Sequence, residues 1–395
     1  MIVTILSILP LMVCVVLSTL ILIDLYHEYT RPRIYLLFFM ITAGMLYLGH
    51  FTYFNQTIEI IPLTDTVYSF CNPAVFPLFY LYIDELTHHR SRKRRQLLYL
   101  LPSLICFLMT GTLYMLMTHK ETQTFIQHYL YNGTSQSLTG LSQCQAGVHF
   151  FMKIIFALQI PIVFYKGWHH ITLFNTKVTN NYSDTEGKVL SAFKTLLLLF
   201  AIASALSFVS NIVGRDRFVD SIGMLAAPSI GFSVILLLIG HNGIHQCFTA
   251  KELEEETAPP IIPQSEEPAK TTGNNNLQEQ IVNLVDHEQL YLQPNLKIND
   301  LALRLHTNRE YIYQAINIEM GLTFSDFINH KRIDHAAQLI KQNPKALLIN
   351  ISQQSGFSSV SSFYRNWKLF IDCSPKEYQQ RAAAEHADRN QAGRS

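Results

Sequence analysis

Charged residues are scarce in this 395-residue chain: Asp, Glu, Lys and Arg make up 15% of it, against 49% hydrophobic residues. So little charge excludes an ordinary soluble globular protein as the whole answer and points to a large membrane part. Catalytic signatures are lacking too. No Gly-rich phosphate loop, H-E-x-x-H, kinase signature or Gly-x-Ser-x-Gly occurs, which leaves an enzyme reading without support. The cysteines Cys14, Cys71, Cys106, Cys144, Cys247 and Cys373 are scattered with no C-x-x-C, so neither a zinc site nor a disulfide framework is indicated. No metal or other cofactor is expected, and His88-His89, in a basic loop, need none to explain them. The net charge of +1 averages two unlike parts and decides nothing.

Apolar runs fill the first two thirds: Ile2–Ile23, Ile34–Phe54, Thr66–Ile83, Leu97–Met117, Gly147–Tyr165, Thr195–Val213 and Gly223–Gly240. Each is near the length of about 20 residues that crosses a bilayer as a helix, giving seven expected spans. The first run lacks a basic start and a small-x-small cleavage site, so it is expected to stay as an anchor. Pro73 and Pro77 interrupt the third, where a kink is expected rather than a break, provided neighbours satisfy the freed carbonyls.

Lys and Arg set the orientation. Arg31 and Arg33 follow span one, the run Arg90 to Arg95 follows span three, and Lys166, Lys177, Lys188 and Lys194 follow span five. The opposite loops hold only Lys120, Arg215 and Arg217. The expected N-terminus is therefore outside and the C-terminus in the cytoplasm. The Arg90 to Arg95 run reads as a topology signal and a contact for anionic head groups rather than a second nucleic-acid site.

Within the bundle, His50 and Lys153 are ionisable residues at membrane depth and hence candidate ligand-sensing positions. Each also has a plainer account: Lys153 snorkels to the interface, and His50 hydrogen-bonds a neighbour. The long outside loop Thr118–Ala146 is a further candidate ligand contact, with Asn132-Gly133 read as a turn.

From residue 244 to 276 the composition shifts to an acidic run, Lys251 to Glu256, then Pro259, Pro260, Pro263, Pro268 and Gly273 to Asn276. This reads as a flexible tether. Beyond it, Ile298, Leu301, Ala302 and Leu305 carry the spacing of an amphipathic helix. His306-Thr307 break it, and Asn308 caps a second helix with an inward face of Ile312, Ala315 and Ile316, ending before Gly321. A long helix from about Phe324 to Ile340 ends at Asn343-Pro344. The pattern then repeats: Leu348 and Ile351, a turn at Gly356-Phe357, Ser358 or Ser359 as cap, Phe363 and Trp367 as core, and Ser374-Pro375 opening a closing helix.

These two helix-turn-helix units, in "INDLALRLHTNREYIYQAIN", "FINHKRIDHAAQLI" and "GFSSVSSFYRNWKLFIDCSPKEY", resemble the DNA-binding domain of the AraC/XylS family of bacterial transcription regulators. Spacing, linker helix and the Ser-Pro-Lys-Glu-Tyr ending are in register. His306 and Asp372 stand where the family usually has glycine. The resemblance implies that the second helix of each unit enters the major groove. It places Arg309, Glu310, Tyr313, Gln314 and Asn317 of the first unit, and Val360, Ser361, Tyr364, Arg365 and Lys368 of the second, on the DNA-facing side. Gln and Arg suit bidentate reading of adenine and guanine, and Glu accepts from cytosine. Lys368 and Arg309 suit phosphates.

The expected architecture is all-α: a seven-span bundle (1–243), a linker (244–276), an AraC-type domain (277–383, units at about 298–320 and 348–370) and a disordered tail (384–395). The implied function is a bacterial inner-membrane regulator coupling a membrane or periplasmic signal to promoter DNA, with no enzymatic activity. The alternative is a receptor or transporter whose helix-turn-helix domain binds protein. Expected partners are double-stranded DNA, the lipid bilayer, a second copy of the chain, RNA polymerase and an unidentified signal. Lys and Arg only slightly outnumber Asp and Glu from Ile281 to Arg381, so binding is expected to be modest for one copy and stronger across two half-sites.

Overall fold

A computed structural model describes residues 2–88, 97–213, 222–257 and 274–392. The basic residues Arg90 to Arg95, Arg215 and Arg217, and the proline stretch Pro259 to Pro268, lie outside them. Among the described residues there is no strand, only one isolated bridge between Tyr182 and Lys297. The chain forms two compact units: residues 1–173 with 190–251, and residues 174–189 with 252–395.

The first unit contains α1 (Ile2–His27), α2 (Arg31–Phe54), α3 (Ile61–Thr87), α4 (Leu101–Leu116), the short α5 (His119–Thr124), most of α6 (Leu141–Asn181), α7 (Ser191–Val213) and α8 (Ile222–His245). Six stretches are long and apolar enough to cross a membrane, corresponding to α1, α2, α4, α6, α7 and α8. The seventh expected span, α3, is a 27-residue helix but is not among the six. It carries Asp65, Asp84 and Glu85, and most of its C-terminal two thirds is buried, including Phe79, Tyr82 and Ile83. The other helices instead turn apolar residues outward, such as Leu22, Leu108, Phe150 and Leu206, as a lipid-facing surface does.

Pro73 and Pro77 lie inside α3 without breaking it. Pro77 has no N–H for the carbonyl of residue 73, four positions back. Gln159 Nε2 of α6 donates to that oxygen at 2.9 Å, supplying the missing bond. Asp65 likewise accepts from Tyr114 Oη at 2.8 Å and lies 3.0 Å from His149 Nε2. Much of the segment expected as the outside loop is folded. Thr118 and Glu121 form a capping box for α5, a π turn spans Phe125–Tyr131, and Phe125, Ile126 and Leu138 bury against Ile61 and Ala146. Gly133, at φ 65°, makes the expected turn.

At 41 residues, α6 would extend about 60 Å at 1.5 Å per residue, twice the roughly 30 Å hydrocarbon core. Its last turns, from Phe174, belong to the second unit together with the loop to Val189.

That unit also contains α9 (Ala250–Thr257, from Glu252 on), α10 (Asn274–His287), α11 (Ile298–Arg304), α12 (Arg309–Tyr313), α13 (Phe324–Gln342), α14 (Leu348–Gln354), α15 (Val360–Phe370) and α16 (Pro375–Ala392). Two ends differ from expectation. The acidic run Lys251 to Glu256 is helical, and the expected disordered tail is helical through Ala392. The first is made of Lys, Glu and Leu and the second is rich in Ala, Glu, Gln and Arg, all residues that favour helix without needing a core.

Two apolar clusters fill the unit. Ile281, Val285, Leu301, Ile312, Ile316, Phe324 and Ile328 form one; Ile333, Ala336, Ile340, Ile351, Phe357, Phe363 and Trp367 form the other. Helix α13 contributes to both, so the joining helix is the shared wall of the two.

Candidate nucleic-acid interface

Each helix-turn-helix begins with a helix closed by the same cap. At the end of α11, His306 N–H donates to Leu303 O at 3.3 Å and Thr307 N–H to Ala302 O at 3.0 Å. At the end of α14, Gly356 N–H donates to Gln353 O at 3.0 Å and Phe357 N–H to Ser352 O at 3.1 Å. This Schellman pattern needs a left-handed residue at the turn. The second unit uses Gly356 at φ 82°; the first forces His306 to φ 49°. Asp372 needs no such conformation, because it is not among the positive-φ residues described. Its loop is held by Trp367 Nε1 donating to Cys373 O at 2.8 Å.

The second helices start on side-chain caps. Asn308 Oδ1 accepts from Glu310 N–H at 3.0 Å, and Ser359 Oγ from Ser362 N–H at 3.0 Å. In the first unit the helix widens into a π turn over Gln314–Glu319, a feature with no sequence signal. Ile312, Ala315, Ile316, Phe363 and Trp367 are buried, as expected of core.

Opposite them, Glu310 and Gln314 are exposed, while Arg309, Tyr313 and Asn317 are half-buried. Arg309 Nη1 donates to Thr257 O of α9 at 3.1 Å, and Asn317 Nδ2 to Tyr313 O at 3.3 Å. In the second unit Ser361, Tyr364, Arg365 and Lys368 are exposed and Val360 half-buried. Arg365 Nη2 rests 3.4 Å from Ser362 Oγ. The structure thus brings the named residues onto one outward side of each second helix.

Arg332, Asn329 and Ser325 carried no signal, because polar side chains on a helix read as a solvated face. Instead Arg332 is 1% exposed on α13. Its Nε donates to Tyr291 O at 2.7 Å, its Nη1 to Asn329 Oδ1 at 3.0 Å, and its Nη2 to Gln293 O at 2.7 Å, Pro294 O at 3.1 Å and Ser183 Oγ at 3.1 Å. Burial pulls its pKa down to about 10, against the opposing pull of Asp184. The guanidinium stays charged at neutral pH and ties together the chain before α11, helix α13 and the loop after α6.

In the first unit His50 and Lys153 line one cavity of about 660 Å³. Its walls are mostly apolar, with Tyr47, Asn72, Ser204 and Ser229 as polar points. Among the described residues, Asp84, His88 and His170 are the one group of donor atoms close enough to hold a metal. Both imidazole Nδ1 atoms already lie 3.2 and 3.3 Å from Asp84 Oδ1, as in ordinary carboxylate–histidine pairs.

Residues 301–381 match the model of a family described as a helix-turn-helix domain. An uncharacterised HTH-type transcriptional regulator of Staphylococcus aureus N315 is 29% identical over 100 residues, 25% of this chain and 13% of that protein. The Msm operon regulatory protein of Streptococcus mutans is 29% identical over 84 residues, 21% of this chain and 30% of that protein. The uncharacterised HTH-type transcriptional regulator YtdP of Bacillus subtilis is 25% identical over 105 residues, 27% of this chain and 13% of that protein. The chain therefore spans under a third of the length of these relatives. No solved structure matches it.

Proposed function

We propose, from the premise that the chain carries an AraC-type helix-turn-helix domain behind a set of long apolar helices, that it is a membrane-anchored transcription regulator. The observation that carries this reading is the pair of capped second helices, each burying one side and presenting Gln314 or Arg365 among its outward polar groups. Such helices read base edges with residues near their N-termini, while Lys368 and Arg309 meet phosphates. The apolar helices anchor the protein in a bacterial inner membrane, with the DNA-binding unit in the cytoplasm. The cavity holding His50 and Lys153 receives the signal, a small and largely apolar molecule, and its occupancy shifts the bundle between two arrangements.

The test uses the full-length chain in lipid nanodiscs, selecting duplexes from a random pool and repeating at rising salt. A preferred sequence, bound with a steep salt dependence, is expected. Recovery of no preferred sequence would move the second unit to the protein-interaction reading. A second copy should sharpen selection to two half-sites one or more helical turns apart.

A further inference from the structure

The loop that follows α6 is bound into the second unit by its own backbone. Ser183 N–H donates to Leu296 O at 3.0 Å, and Ser183 O accepts from Ser325 Oγ at 3.2 Å and Asn329 Nδ2 at 3.1 Å. With Arg332 on its hydroxyl, Ser183 is 1% exposed. Tyr182 pairs across to Lys297, and its Oη donates to Glu256 at 2.9 Å. This anchor presents the next residues to the second helix-turn-helix. Asp184 Oδ2 accepts from Ser358 Oγ at 2.5 Å, and Glu186 Oε2 accepts from Ser359 Oγ.

Ser359 is the N-cap of α15, and Ser358 is the residue before it. Two carboxylates are therefore laid on the positive end of the helix that carries Ser361, Tyr364, Arg365 and Lys368. The same end of a groove-reading helix is where backbone N–H groups and hydroxyls hold DNA phosphate. A carboxylate seated there takes the bonds a phosphate oxygen would take, and its charge repels the strand. Arg309, the phosphate candidate of the first helix-turn-helix, also gives one of its N–H groups to another part of the chain, Nη1 to Thr257 O at 3.1 Å.

The geometry points to an acidic latch: Asp184 and Glu186 occupy the phosphate-facing end of α15 and hold the DNA reader closed, with Ser183 and Arg332 as the fixed hinge post. The proposal rests on the DNA-binding reading above. Its occupant is this chain's own loop, joined directly to α6 on one side and, within a few residues, to α7 on the other. A shift of either helix pulls on the loop. The anchor and the latch use different bonds: Ser183 and Arg332 are buried and hold the backbone, whereas the latch is the Asp184 carboxylate, buried near the Arg332 charge, and the exposed carboxylate of Glu186. None of the hydrogen bonds to Ser183 uses the carboxylate of Asp184 or Glu186, so neutralising the latch should leave those bonds in place. A reader that is only fractionally open binds with an affinity reduced by that fraction.

The experiment compares the full-length protein with D184N/E186Q, and with T185A as a control, in nanodiscs. Two quantities are read: affinity for a fluorescent duplex carrying the selected sequence, and hydrogen exchange of the amides from Ser358 to Phe363. The double variant should bind roughly ten-fold tighter, as for a reader open about one-tenth of the time and then released, and exchange faster at the first turn of α15. T185A should match the parent in both. Exchange unchanged in D184N/E186Q would overturn the latch whatever the DNA result. Faster exchange with equal or weaker DNA binding would overturn inhibition, making the loop a strut. If neither protein binds any duplex, the DNA-binding reading fails and the latch falls with it, an outcome distinct from equal binding by both.

Discussion

Replacing Gly356 by alanine tests whether the second helix-turn-helix is held by backbone against backbone. Gly356 has φ 82°, and a Cβ there would lie 2.5 Å from Tyr291 O and 2.7 Å from the Leu292 Cα. Two costs add. The left-handed conformation costs a non-glycine residue about 1–2 kcal/mol. Pushing a methyl into main-chain atoms adds overpacking strain of about 1–3 kcal/mol, because neither strand of chain has a side chain to rotate away. Arg332 fixes the obstructing segment through Tyr291 O and Gln293 O, so it gives little. The expected loss is roughly 2–5 kcal/mol, the sum of those two terms. Gly321 is the control: it has φ 69° with nothing within 4 Å of its would-be Cβ, so G321A should lose only the conformational part, about 1–2 kcal/mol. The chain has two tryptophans, and Trp367 lies in the second core cluster. In a W168F background its fluorescence reports urea unfolding of this unit alone. Equal urea midpoints for G356A and G321A would refute the steric argument.

Four further outcomes follow from the same geometry. H306G should stabilise the first helix-turn-helix by about 1 kcal/mol, since glycine relieves the left-handed strain; a lower urea midpoint would count against the shared cap. R332M should cost about 3–5 kcal/mol, because the buried acceptors it serves lose their donor, and the same fluorescence transition measures it. Burial lowers the pKa of His335, so the folded state prefers it neutral; stability should be full above its unfolded pKa of about 6.5 and decline as pH falls through and below that value. H335Q should show a smaller decline between pH 7 and 5.5 than the parent. Finally, R365A should relax preference at one base position by about 1–3 kcal/mol in duplex selection, whereas equal weakening on all sequences reassigns Arg365 to phosphate.

Local rules made much of the second unit legible. Asn308 and Ser359 are caps because their side chains accept a backbone N–H two or three residues on, and Ile312, Ile316, Phe363 and Trp367 are core because helical spacing puts them on one face. The helix-turn-helix repeat therefore follows from contacts between near neighbours in sequence. Hydropathy marked the apolar runs on the same local basis, but it could not show that α3, of similar length, turns most of its side chains inward while other helices keep apolar residues exposed. The expectation of a disordered tail failed for a related reason: polar composition excludes a core but does not exclude a helix.

Sequence alone determined which segments of the second unit are helical, the cap at Asn308, the inward faces and the family likeness of residues 301–381, because each depends on residues within a few turns of one another. Tertiary structure alone decided that Gln159 completes α3 at Pro73, that Arg332 is buried, and that the loop after α6 belongs with the helix-turn-helix unit. Those pairings join groups up to 174 residues apart, as in Ser358 with Asp184, and nothing in the periodicity of either segment marks its partner. Polar residues on a helix look solvated until another part of the chain supplies their acceptors, and that supply is a property of the folded molecule.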